Sequence, residues 1–175
     1  MDIEKITSGK NVPDEINVII EIPMNSDPVK YEFDKESGAI FVDRFIPVSM
    51  LYPCNYGFVP HTLSGDGDPI DVLVVTPYPV TPGSVIKCRP IGVLLMEDES
   101  GEDEKILAVP TVKLDISMAR INSFEDLGEP MLHKITHFFE HYKDLEKGKW
   151  VKVLGWGDSA KAKILINEAV TRAGK

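Results

Sequence analysis

In the first two thirds of this sequence no apolar run goes far before proline or glycine interrupts it, which excludes long helices there and leaves short strands. Residues 17–22 are rich in β-branched side chains and stop at Pro23. Tyr31-Glu32-Phe33-Asp34 alternates apolar and charged, Glu36-Ser37-Gly38 turns the chain, and residues 40–45 complete a hairpin pattern. Continuous apolar runs cover 70–75, 85–96 with a break at Pro90, and 106–112 with one at Pro110. So many short, punctuated strands predict a small barrel, closed or nearly so. The period then changes. Met131, Leu132, Ile135, Phe138, Phe139, Tyr142 and Leu145 form a helical stripe that Gly148 ends. Residues 149–156 read as one more strand, and Asp158 or Ser159 caps a final helix with Ala162, Leu165, Ile166, Ala169 and Val170 on its apolar face. The expectation is one α+β, mainly β, domain over residues 1–175: a barrel with two packed C-terminal helices.

Within that frame, Asp66-Gly67-Asp68-Pro69-Ile70-Asp71 sets three carboxylates in six positions. Gly67 frees the backbone and Pro69 fixes it, so the segment is a shaped turn into the strand at 70–75. Such a turn suits a hard divalent cation, which takes oxygen ligands, but a solvated acidic turn has the same spacing. An EF-hand is excluded by register: from Asp66, the sixth and twelfth places hold Asp71 and Pro77 rather than Gly and Glu. A second acidic run, Glu97-Asp98-Glu99-Ser100-Gly101-Glu102-Asp103-Glu104, reads as a hairpin tip. Two anionic loops at one end of a barrel would make a multi-metal site. Lys30, Arg44, Lys105 and Lys143 lie beside Glu32, Asp43, Glu104 and Asp144, which predicts local ion pairs. Tyr52-Pro53-Cys54-Asn55-Tyr56 reads as a loop carrying two phenols.

Nineteen Lys and Arg stand against 28 Asp and Glu, a net charge of −9. Nucleic acid and anionic lipid are bound through a surplus of cations, so neither is an expected partner. Cys54 and Cys88 are too few for a disulfide framework or a cysteine zinc site and read as buried thiols in a reducing compartment. The start, Met1-Asp2-Ile3-Glu4-Lys5, lacks the order of a signal peptide, and prolines 77, 79 and 82 break the longest uncharged stretch. A cytoplasmic protein is expected. No Gly-x-x-x-x-Gly-Lys-Ser/Thr loop is present for nucleotide phosphates. An ion-binding module without chemistry would explain the carboxylates but not the cations and tyrosines around them. His133, His137 and His141 recur at i, i+4, i+8 on the first helix, as metal ligands or as a contact face.

Together these residues resemble the soluble inorganic pyrophosphatases of family I, short bacterial type. The signature Asp-x-Asp-Pro/Glu-apolar-Asp-apolar is met in full by residues 66–72. Around it stand Glu21 in Val18-Ile19-Ile20-Glu21-Ile22-Pro23, Lys30-Tyr31-Glu32, Asp43-Arg44-Phe45, Tyr52-Pro53-Cys54-Asn55-Tyr56-Gly57, Gly101-Glu102-Asp103 and residues 137–151. The resemblance implies an OB-like five-stranded barrel and Mg²⁺-dependent hydrolysis of pyrophosphate to two orthophosphates, with several ions per site. It implies direct attack of a metal-activated water, with Asp68 as general base and Tyr56 also at the reacting centre. Asp66, Asp71 and Asp103 would hold the tightest metal, with Asp71 bridging to a second. Asp98 and Asp103 would serve a metal arriving with substrate, and Glu21 another. Lys30, Arg44, Lys105, Tyr142 and Lys143 would bind phosphate oxygens, with Tyr56 beside them. Glu32, Glu99 and Tyr52 would stand behind. It also implies a homohexamer, for which His137 and His141 are candidate subunit-contact residues.

Overall fold

The computed structural model describes residues 2–174. Five strands close a ring: β1 (Ile16–Ile22), β4 (Asn55–Phe58), β5 (Asp71–Val74), β8 (Lys105–Pro110) and β6 (Val85–Asp98), which pairs back to β1. All neighbours are antiparallel except β5 and β8, which run parallel. The mainly β ring with two C-terminal helices is the expected OB-like architecture.

β6 is the spine. Its 14 residues pair with β1 through Val85–Cys88 and with β9 (Val151–Asp158) through Gly92–Asp98 along the same edge. The switch falls at a bulge: Pro90 pairs with Ala108 and Gly92 with Leu107, leaving Ile91 as the extra residue. Pro90 therefore bends the strand without ending it. At its end β6 turns back into the short β7 (Gly101–Glu102), which pairs with Glu97 and Asp98. A separate hairpin, β2 (Val29–Phe33) with β3 (Ile40–Phe45), stands beside the ring.

β5 and β8 are apolar without alternation because both faces are covered. Val72, Val74, Ile106 and Ala108 join Ala162, Leu165, Ile166 and Ala169 of α2 (Ser159–Ala173). Leu73, Leu107 and Val109 face the other way, onto Ile135, Phe138 and Phe139 of α1 (Glu129–His141). The Asp158 side chain accepts from the Lys161 N–H at 2.8 Å and caps α2. Among the described residues no helix is long and apolar enough to cross a membrane.

Two expectations are corrected. The segment read as a loop at 52–56 runs into a strand, β4, buried throughout. Gly57 makes this possible, because a Cβ there would stand 1.9 Å from the Ile19 carbonyl oxygen of β1. The helical stripe also overran: α1 ends at His141, Tyr142 is its C-cap, and Leu145 lies in the following turn, 67% exposed. The chain leaves the helix where Lys143 turns inward to Asp98.

Candidate active site

Asp71 opens β5 and Lys105 opens β8, and the parallel register sets them side by side. Two residues on, Leu73 and Leu107 point into the α1-side core, so Asp71 and Lys105 cap that core on the same face. Lys105, 3% exposed, donates to the Asp71 carboxylate at 2.5 Å and also to Asp103, and its ammonium sits 5.7 Å from the Tyr56 ring centre. Burial alone would lower the Lys105 pKa. Asp71 and Asp103 outweigh it and hold the group well above its usual value. Lys143, also buried, donates to Asp98 at 2.6 Å and to Glu99 at 3.3 Å. Burial opposes the charge of Asp98, but that bond and the Ser100 N–H bring its pKa below the usual carboxylate range. The expected local pairs of Lys105 with Glu104 and of Lys143 with Asp144 are thus corrected: each lysine reaches past its neighbour to carboxylates that the sheet brings near.

The bulges aim other groups here. In β1, Ile20 pairs with Gly57 and Ile22 with Tyr56, so Glu21 is the extra residue and turns out of the ladder. Glu21 is buried and accepts the Phe33 N–H at 2.7 Å. Burial, with Asp71 nearby, lifts its pKa to about 8. In the hairpin, Lys30 pairs with Arg44 and Tyr31 with Val42, which leaves Asp43 at a bulge beside both cations. Arg44 reaches the Asp43 carboxylate at 2.6 Å, and Lys30 reaches Asp43 at 3.4 Å and Glu32 more closely. Both expected neighbour pairs form.

Two cavities result, and Lys30 and Asp71 line both. The first, about 120 Å³, adds Glu21, Glu32, Tyr56 and Asp68. Gly67 holds φ +94° in the turn that presents Asp68, whose N–H donates to Asp66 at 3.0 Å. Burial, then Asp66 and Asp71, raise the Asp68 pKa. The second, about 200 Å³, adds Arg44, Asp66, Asp98, Glu99, Asp103, Lys105, Tyr142 and Lys143. Every expected site residue lines one or both except Tyr52. That ring lies behind the wall, 5.4 Å from Tyr56 and 4.7 Å from Phe138 between ring centres. Burial pushes the Tyr52 and Tyr56 phenols well above their usual range, so both remain neutral hydrogen-bonding groups.

Three residues at or behind the walls escaped the sequence reading. Glu146 holds Arg44 at 3.2 Å and Lys149 at 3.0 Å, Lys149 lines the second cavity, and Lys35 faces Asp68 across the first. Only the charge alternation around Gly148 hinted at Glu146 and Lys149, and nothing marked Lys35 in its hairpin turn.

The donor set fits a hard divalent cation. Asp66 has no ion pair among the described residues, and Glu21 is a carboxylate that burial lifts to about 8 despite Lys30 nearby. Oxygen donors with no thiol or imidazole among them suit Mg²⁺.

A family model described as inorganic pyrophosphatase matches residues 18–174. The chain is 69% identical over 173 residues to an inorganic pyrophosphatase of Rickettsia felis, covering 99% of each, and 59% identical over 175 residues to one of Salmonella typhimurium, covering 100% of this chain and 99% of the relative. Its fold is similar to the crystal structure of the inorganic pyrophosphatase from Thermus thermophilus, with a TM-score of 0.94 at 41% identity and 100% of both chains covered.

Proposed function

The chain belongs to the inorganic pyrophosphatase family, and from that premise we propose how its site hydrolyses inorganic pyrophosphate. The hydrolysis is Mg²⁺-dependent. One observation carries the residue assignment: Asp68 and the cationic wall lie in separate cavities joined at Lys30 and Asp71. A substrate of two linked phosphoryl groups spans such a pair. The leaving group lies against Arg44, Lys105, Tyr142 and Lys143, and water attacks from the side of Asp68.

Asp66, Asp71 and Asp103 would hold the tightest Mg²⁺, with Asp71 shared by a second, Asp98 joining Asp103 for a third and Glu21 serving another. Bound there, Mg²⁺ offsets substrate charge and makes water more acidic. Asp68 takes the proton of the attacking water, and its raised pKa makes it a better base than an ordinary carboxylate. Lys30, Arg44, Lys105 and Lys143 donate to phosphate oxygens and to the charge that develops on the leaving group. Tyr56 donates a hydrogen bond from the wall, with Tyr52 packed behind it. Glu32 holds Lys30, and Glu99 holds Lys143.

The chain works as one domain in this reading, in the cytoplasm, where Cys54 and Cys88 stay reduced; both are buried and unpaired. It assembles as a homohexamer with His137 and His141 at a subunit contact. Support comes from a cavity of about 230 Å³ at the flank of α1, where Met50 and Leu51 adjoin His137 and Phe138.

The test is phosphate release from pyrophosphate and from a nucleoside triphosphate, with and without Mg²⁺. Release from pyrophosphate that requires Mg²⁺, with Asp68→Asn losing about 10²–10⁴-fold in turnover while keeping its Mg²⁺ affinity, is expected. Equal loss of Mg²⁺ affinity in Asp68→Asn and Asp71→Asn would remove the distinction between base and ligand.

A further inference from the structure

The outward face of α1 carries a group of side chains that hydrolysis leaves unused. His137, Glu140 and His141 stand at i, i+3 and i+4, the spacing that puts three residues on one helix face. A ligand atom from each lies within 4.8 Å of the other two, and the imidazole centres are 4.6 Å apart. We propose that His137, Glu140 and His141 bind a transition-metal cation of the zinc class, at a site separate from the carboxylates that serve Mg²⁺.

Two further observations point the same way. Asp144 engages His141 Nδ1 at 2.8 Å. A carboxylate on one ring nitrogen fixes the tautomer and leaves Nε2 free to coordinate, as the outer partners of metal-binding histidines do. Glu140 has no ion pair among the described residues, so its carboxylate is free to bind. Tetrahedral zinc, at about 2.0–2.1 Å from its ligands, sets them about 3.4 Å apart, so rotamer adjustment alone closes the group. Two histidines and a glutamate fill three positions and leave a fourth for water. Imidazole selects zinc, copper, nickel or cobalt over Mg²⁺ and Ca²⁺, so cellular Mg²⁺ would not occupy the site. His133, a turn earlier on the same helix, lies outside the group.

The inference does not rest on the assembly or the residue roles proposed above. Its test is calorimetric titration of the whole protein with Zn²⁺ in saturating Mg²⁺, alongside nitrogen hyperfine splitting from bound Cu²⁺. One Zn²⁺ per chain beyond the Mg²⁺ sites is expected, with two imidazole nitrogens on Cu²⁺. Asp144→Asn should weaken Zn²⁺ about 10–100-fold. Glu140→Gln, which swaps a charged ligand for a neutral one, should weaken it at least about 10-fold. Asp71→Asn should leave this Zn²⁺ in place. Unchanged Zn²⁺ binding in His137→Gln/His141→Gln, or its loss in Asp71→Asn, would overturn the site. Mg²⁺-driven phosphate release from the same samples tests the hydrolytic reading separately.

Discussion

Glu21 and Lys105 are both buried, and burial acts on them with opposite results. For Glu21 burial outweighs the Phe33 N–H and Lys30 and lifts the pKa to about 8, whereas Lys105 has two carboxylates against it and stays charged. Because the folded pKa of Glu21 lies above its ordinary value of 4.5, the metal-free fold binds a proton that the unfolded chain has released. Its contribution is therefore fully present below about pH 4.5 and is lost as the pH rises through about 8. Thermal melts of metal-free protein from pH 5 to 8 should show stability falling with pH, more weakly in Glu21→Gln. An equal slope in both chains would show that Glu21 is not the group titrating. For Lys105 the expectation reverses with metal. Removing one partner of a buried ion pair costs about 3–5 kcal/mol. Asp71 and Asp103 keep some exposure, which favours the lower end of that range. Lys105→Met should then lower the melting temperature by about 6–12 °C without Mg²⁺, at about 2–4 °C per kcal/mol. Mg²⁺ should restore part of the loss, since the two freed carboxylates suit a cation. A deficit that ignores Mg²⁺ would mean that they do not bind it. At this scale the acidic motif was legible, because three carboxylates around Gly67 and Pro69 are costly without a use. The partners were not, since Asp71 and Lys105 lie 34 positions apart and meet only through sheet register.

Strands aim the site, and they do so where their pairing is irregular. Without the β1 bulge Glu21 would remain in the ladder, and without the hairpin bulge Asp43 would not lie between Lys30 and Arg44. Sequence periodicity shows regular strands and hides such extra residues, which is why the barrel could be read and the direction of Glu21 could not. β4 was hidden for a related reason. Asn55, Gly57 and the nearby Pro53 carry turn signals, yet Asn55 spends its polar groups tying the strand down. Its side-chain Oδ1 accepts from Met24 N–H at 3.1 Å and Val80 N–H at 2.8 Å. Gly57 is a matter of contact, with β1 backbone where a side chain would be. Gly57→Ala must push β1 and β4 apart between Tyr56 and Glu21. A cost of at least about 1–3 kcal/mol follows from overpacking, and activity should fall beyond what the unfolded fraction explains, because the site wall moves too. A melting curve like that of the unaltered chain, with full activity, would refute this account of β4.

At the scale of the whole molecule, charge restricts how copies can meet. Each chain carries −9, so six would carry −54, and long-range repulsion opposes assembly. Among the described residues the ring β1-β4-β5-β8-β6 closes on itself, so unpaired strand edges remain only outside it, at β7, β9 and the β2–β3 hairpin, and its covering helices present faces for contact. At the flank of α1, Met50, Leu51 and the edge of the otherwise buried Phe138 line a cavity beside His137, and Leu51 is 42% exposed. Apolar side chains there gain by leaving water in a contact, and Lys134 is the one charged residue lining the cavity. Sedimentation of the unaltered protein should therefore give six chains of 19.5 kDa, about 117 kDa, and added salt should favour that species by screening the repulsion. Leu51→Lys puts an ammonium into the contact, where no carboxylate lines the cavity to receive it. In an isolated chain the same lysine extends into solvent at little cost, so the subunit melt should shift by no more than a surface substitution, within about 0.5 kcal/mol. Smaller species at an unchanged melting temperature would place Leu51 in the contact. Sedimentation of Leu51→Lys at the full mass would exclude this face, and a 19.5 kDa particle for the unaltered chain at every salt concentration would end the hexamer proposal itself.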